Sequence, residues 1–311
     1  MKFNSSTLRS CLAYLACISF LVCTPVSAKR PNIVLILADD WGFSDVGAFG
    51  SEIQTPNLNQ LAKSGARFSN FHVSASCSPT RSMLLTGVDN HLNGVGNMRE
   101  TIPQSHVGRA GYLSVLNQRV VTVSSLLQEN GYRTYATGKW HVGKEPHNLP
   151  PARGFDRSLV MGDSGADNWE TGKLYLDLTD KVYWYDNGQE AKMPKEFYSS
   201  EFYIDKTLEY LKADAKSDKP FFAYIAFQAN HIPLQAPQSF IDKYKGRYDA
   251  GWDVLRNERR DKAIALGLIP ATSKMANLPS THVAWNSLSA SDKAYQARRM
   301  EVYAAMAEAM D

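Results

Sequence analysis

Apolar runs separated by short polar or glycine-containing turns set the rhythm of this chain. Residues 32–38, Asn-Ile-Val-Leu-Ile-Leu-Ala, are continuous, apolar and β-branched, the pattern of a strand buried on both faces of a parallel sheet, and they end at Asp39-Asp40. Helical spacing over 56–64 stops at Gly65, and 67–73 reads as a strand. Pro79 suits the first position of a short helix that continues through 81–85 and closes at Gly87. Further on, 122–128 predicts a helix, 132–136 a strand and 200–212 an amphipathic helix. A second nearly all-apolar strand, 220–227, runs into Asn230-His231-Ile232-Pro233. The patterns over 252–268 and 292–311 predict helices, the second still helical at the last residue. Between them, 141–198 combines aromatic, Gly and Pro residues with weak periodicity, which predicts a loop-rich cover over a site and a place for substrate choice. Strands alternating with helices predict an α/β fold: a doubly wound, mostly parallel sheet flanked by helices, with polar residues delivered at strand ends.

The first residues follow a different logic. Lys2 and Arg9 precede an apolar run over 12–22, and Val26-Ser27-Ala28 forms a small-residue cleavage site, so 1–28 reads as a secretory signal and 29–311 as the folded part. The run is shorter than the roughly 20 residues that cross a bilayer, and no later stretch is long and apolar enough to do so. Cys23 follows Leu21 and Val22, not the small residues that normally precede a lipidated cysteine. The expected location is periplasmic or secreted, with no stable membrane span after signal cleavage. Removing Lys2 and Arg9 lowers the formal charge from +3 to +1, which argues against a nucleic-acid partner held by broad electrostatics. Three of the four cysteines, Cys11, Cys17 and Cys23, leave with the signal, so Cys77 remains without an intramolecular disulfide partner.

A lone cysteine has three readings: a buried inert thiol, a thiolate nucleophile, or the precursor of another group. Cys77-Ser78-Pro79-Thr80-Arg81 precedes a helix start, where backbone N–H groups and a guanidinium can receive an anion. Asp39-Asp40 at a strand end offers hard oxygen donors for Ca²⁺ or Mg²⁺, although adjacent acids there also serve as solvated turns or caps. Lys139 and His141, two apart after a strand, would point to one side and face one oxyanion if the chain stayed extended. His231 stands at a strand end before a proline, whereas His72, His91, His106, His147 and His282 have no such context.

These blocks together resemble the type-I, formylglycine-dependent sulfatases, most closely the bacterial arylsulfatases. The resemblance rests on Cys77 to Arg81, Asp39-Asp40, Gly138-Lys139-Trp140-His141 and His231-Ile232-Pro233 in the same order, and on the 244–268 stretch containing Gly246-Arg247-Tyr248-Asp249-Ala250-Gly251-Trp252-Asp253. It implies an alkaline-phosphatase-like fold and a sulfuric ester hydrolase in which a formylglycine-generating enzyme oxidises Cys77. It further implies a divalent metal, Ca²⁺ or else Mg²⁺, held by Asp39, Asp40 and the modified Cys77. In the implied scheme a hydroxyl of the aldehyde hydrate attacks sulfur, His231 protonates the departing alcohol or phenol, His141 takes the proton of the second hydroxyl, Arg81 holds the modified side chain and Lys139 the sulfate. The substrate would be a small-molecule or saccharide sulfate ester. Family members continue into a strand ending in Asp-Asn and a later Lys, whereas this chain stops at Asp311, so the 311 residues are expected to be C-terminally incomplete, with an exposed sheet edge, and inactive or poorly folded alone. The alternatives are a phosphonate monoester or phosphodiester hydrolase of the same superfamily, and a non-catalytic exported anion-binding protein.

Overall fold

The computed structural model describes residues 29–169 and 181–311; residues 1–28, which the sequence reads as a signal, and the 170–180 portion of the loop-rich stretch lie outside the described residues. The chain divides into a unit Met1–Pro31, described only at 29–31, and a unit Asn32–Asp311 that carries the sheet and the site. Among the described residues no helix is long and apolar enough to cross a membrane.

Among the described residues six strands form one mixed sheet: β1 (Ile33–Leu37), β2 (Arg133–Lys139), β3 (Arg157–Met161), β4 (Trp184–Asp186), β5 (Gln189–Ala191) and β6 (Phe221–Ala226). Their order is β1-β6-β2-β3-β4-β5. β1, β6, β2 and β3 run parallel, while β4 and β5 add antiparallel strands at the far edge. The named helices are α1 (Pro56–Ser64), α2 (Cys77–Thr86), α3 (Val123–Glu129), α4 (Ser199–Ala213), α5 (Trp252–Ala265) and α6 (Ala290–Met310). Successive strand side chains alternate between faces, so β6 sends Ala223 and Ile225 into one core with Tyr203 and Tyr210 of α4 and Ala304 of α6. It sends Phe222, Tyr224 and Ala226 into a second core with Leu85 of α2 and Leu127 of α3. The expected mostly parallel sheet between helical layers is thus observed.

Four local expectations change. β1 is not buried on both faces: it is an edge strand, and Val34 and Ile36 are 51% and 45% exposed because no described element covers that face. Residues 67–73 form no strand; they pair with none of the sheet, and Phe68, Phe71 and Val73 are exposed. The 141–198 stretch is not all loop, since β3, β4 and β5 lie in it, their short lengths having hidden the period-2 pattern. The helix of the cysteine motif also starts two residues earlier than expected, at Cys77, with Pro79 inside its first turn, where its missing N–H removes no intrahelical bond.

Candidate active site

The parallel strands β1, β6 and β2 are neighbours, so their carboxyl ends open onto one rim, the usual ligand position of an open α/β sheet. Beyond β1 and β6 the chains stay joined: Asp39 N donates to the Ala229 carbonyl at 2.8 Å, and Asn230 N to the Asp39 carbonyl at 2.6 Å. This sets Asp39-Asp40 beside His231. At the end of β2, Gly138 has φ +97, and a Cβ there would stand 1.9 Å from the Ala226 carbonyl oxygen of β6, so only glycine permits this strand approach.

α2 is stitched to the same rim. Ser78 Oγ donates to the His141 carbonyl at 2.7 Å, and Arg81 Nη1 to the Lys139 carbonyl at 2.8 Å. The other guanidinium nitrogen, Arg81 Nη2, reaches Asp39 Oδ1 at 3.1 Å, and Lys139 Nζ reaches Asp39 Oδ2 at 2.5 Å. All three side chains are buried. Burial pushes the Asp39 carboxyl up, but Lys139 and then Arg81 outweigh it and hold it far below the ordinary carboxylate range. Arg81, despite its burial, is raised by Asp39 and stays charged.

His141 departs from extended geometry, with φ +55, so the expectation that Lys139 and His141 share one side fails at that residue. They meet different partners: Lys139 meets Asp39, and His141 Nδ1 lies 3.4 Å from Cys77 Sγ. Cys77 Sγ also touches Met98 Sδ at 3.4 Å. His231 Nε2 lies 3.8 Å from Asp40 Oδ2, and its Nδ1 lies 2.6 Å from the Ile232 carbonyl oxygen. Burial, then the Lys139 charge, lowers both imidazoles below their ordinary range, His141 well below it. Asp40, at φ +58, turns outward with its side chain 58% exposed. Two non-glycine residues in the left-handed region within one small site mark a backbone held by its surroundings.

The seven residues singled out in the sequence therefore converge, through α2, on the ends of β1, β2 and β6. Sequence reasoning missed the layer behind them. The Tyr303 hydroxyl lies 2.7 Å from Asp45 Oδ2 and 3.2 Å from the Asp40 carbonyl oxygen. Arg259 of α5 clasps Glu52 with two bonds of 2.8 Å and reaches Asp45 at 2.5 Å. Asn230 accepts from Trp41 Nε1 and donates to the Tyr303 carbonyl. Arg259 does lie in the 244–268 block that carried the arylsulfatase resemblance, the one signal that could have found it.

The donor set is smaller than a divalent metal needs. Asp39 and Asp40 supply four carboxylate oxygens, and both oxygens of Asp39 are engaged by cations. Among the described residues no group of three or more His, Cys, Asp and Glu side chains could hold a metal ion. That falls short of the six to eight oxygens Ca²⁺ takes, so these residues do not by themselves form a calcium site.

Comparisons with known proteins give a consistent picture. A family model described as Sulfatase matches residues 31–311. An uncharacterized sulfatase of Schizosaccharomyces pombe is 44% identical over 91% of this chain and 53% of its own length. An arylsulfatase of Klebsiella aerogenes is 37% identical over 91% of this chain and 60% of its own length. The chain thus spans little more than half the length of these curated relatives. Among solved structures, Ps i-CgsB in complex with k-i-k-neocarrahexaose is 29% identical, covering 76% of this chain and 55% of that one at a TM-score of 0.60.

Proposed function

Since this chain belongs to the sulfatase family, we propose that it serves the hydrolysis of sulfate esters, with residues 29–311 carrying the catalytic side chains named above. Family membership implies a formylglycine and a divalent metal; Ca²⁺ as that metal, Cys77 as the modified residue and Asp39 and Asp40 as ligands are the parts we propose. Formylglycine would supply a hydrated aldehyde with two hydroxyls, one to attack sulfur and a second, absent from serine, whose loss of a proton releases sulfate and restores the aldehyde. His141 Nδ1, facing residue 77, takes a proton from that side chain. His231 has Nδ1 committed to the Ile232 carbonyl, so Nε2 is the nitrogen left to serve the departing alcohol or phenol, and it hands over a proton only from the imidazolium form, which the Asp40 carboxylate 3.8 Å from Nε2 favours. Arg81 and Lys139 keep Asp39 ionised and lend positive potential to the rim where sulfate charge gathers.

The substrate class is a small-molecule or saccharide sulfate, the maturation partner a formylglycine-generating enzyme, and the location periplasmic or secreted.

The observation that carries this reading is the 3.4 Å approach of Cys77 Sγ to His141 Nδ1, at the head of a helix whose Arg81 is bonded to Asp39. Its test is coexpression with a formylglycine-generating enzyme, mass spectrometry of the Cys77 peptide, and comparison of a sulfate with a phosphonate or phosphodiester ester of one aryl alcohol. An aldehyde at residue 77 with preferential sulfate release is the expected result. An unmodified thiol, or preference for the phosphorus esters, would overturn it.

A further inference from the structure

Beside His141 lies one carboxylate that the scheme above does not use. Glu100 sits in the helical turn Arg99–Thr101, and its Oε1 is 3.8 Å from His141 Nε2. Nδ1 of the same ring faces Cys77 Sγ, so the imidazole stands between thiol and carboxylate. Glu100 Oε1 is buried and accepts no hydrogen bond among the described residues, a costly state for a carboxylate oxygen unless a donor turns toward it. Met98, two residues earlier, packs on Cys77 Sγ, so the same turn walls both ends of the pair. The His141 backbone is pinned by the hydroxyl of Ser78, which leaves rotation of the ring and choice of tautomer as its remaining freedom.

We propose that Glu100 is a positioning residue for His141, accepting the Nε2 proton and so leaving Nδ1 unprotonated toward residue 77. The inference rests on the sulfatase reading for the use made of Nδ1, but not for the geometry itself. A base oriented by a carboxylate on its far nitrogen is a recurrent device, because in a neutral imidazole the bond made by one nitrogen fixes the state of the other. A solely structural Glu100 would instead be expected to hold a donor from the fold, and none is present among the described residues.

The test is nitrogen NMR of the full chain labelled at histidine, with His141→Gln to identify the resonance. The Nε2–H tautomer is expected for His141, and a mixture of tautomers in Glu100→Ala at an unchanged thermal midpoint. Should that variant fail to fold, Glu100→Leu keeps the bulk without an acceptor, and the same loss of a single tautomer is expected there. An Nδ1–H tautomer in the unsubstituted chain, or an unchanged Nε2–H signal in the variants, overturns the proposal. The spectrum does not depend on turnover: failure of the sulfatase reading shows as an unmodified Cys77 with the tautomer intact, whereas failure here shows as the wrong tautomer whatever the state of residue 77. In protein that turns over sulfate, Glu100→Ala should lower kcat by about tenfold or more with KM little changed.

Discussion

Lys139 Nζ and Asp39 Oδ2 lie 2.5 Å apart, joining the end of β2 to the end of β1 across β6. Both side chains are buried, so the pair is stable only as a pair, with Arg81 as its third member. Removing one partner leaves charge in a site from which water is excluded. Lys139→Met is expected to destabilise the chain by about 3–5 kcal/mol, less whatever Arg81 recovers. Urea denaturation measures this, and an unmoved midpoint would show that Arg81 alone suffices for Asp39.

Gly138 tolerates no side chain. At φ +97 an alanine is strained by about 1–3 kcal/mol before any overlap is counted. The Cβ would then collide with the Ala226 carbonyl at 1.9 Å, forcing β2 and β6 apart beneath the site. Gly138→Ala should therefore lower the thermal midpoint more than an alanine placed at Gly108, where nothing lies within 4 Å of the added carbon although φ is also positive.

The clasp of Arg259 on Glu52 should appear as acid sensitivity. Burial raises the Glu52 carboxyl, but bonding to Arg259 and its charge prevail and hold it below its reference value of 4.5. A depressed carboxyl contributes stability that is present above the unfolded-state value and is lost as pH falls through the folded one. Glu52→Gln should consequently cost most at neutral pH, and its difference from the unsubstituted chain should shrink as the buffer is taken toward about pH 3. A difference that stays constant with pH would assign the cost to packing.

β1 presents an apolar face and an unpaired outer edge among the described residues. Exposed, apolar edge strands template association with other chains, and inserted lysine suppresses it. Val34→Lys with Ile36→Lys is expected to reduce self-association in light scattering while leaving circular dichroism unchanged, because both side chains point away from the described core. Undiminished scattering would place the association elsewhere.

Most helices were legible because their signals are local. Pro56–Ser64 ends at its glycine as expected, and Val123–Glu129 is capped by Thr122, whose hydroxyl accepts from Ser125 N. The strand Phe221–Ala226 was visible for the same reason: six apolar residues in a row have few alternatives to a buried position. The strands of 157–191 were not, since three to five residues carry too little periodicity to separate from loop.

The linear order of residues carries the available chemistry: a lone cysteine in a Cys-Ser-Pro-Thr-Arg setting, two adjacent acids after a strand, and cationic and imidazole groups at strand ends. It also determined the sulfatase resemblance, because motif identity is a property of neighbours along the chain. Folding is what makes Arg81 and Lys139 share Asp39, turns His141 out of its strand to face Cys77, and brings Arg259 to Glu52 from 207 positions away. Whether β1 is covered belongs to that second group as well: among the described residues one of its faces, with Val34 and Ile36, is exposed where its composition suggested burial. The physical reason is common to all of these: local pattern fixes backbone conformation and which face is apolar, whereas the partner of a charge or a strand edge is set by how distant segments cross, which no single stretch encodes.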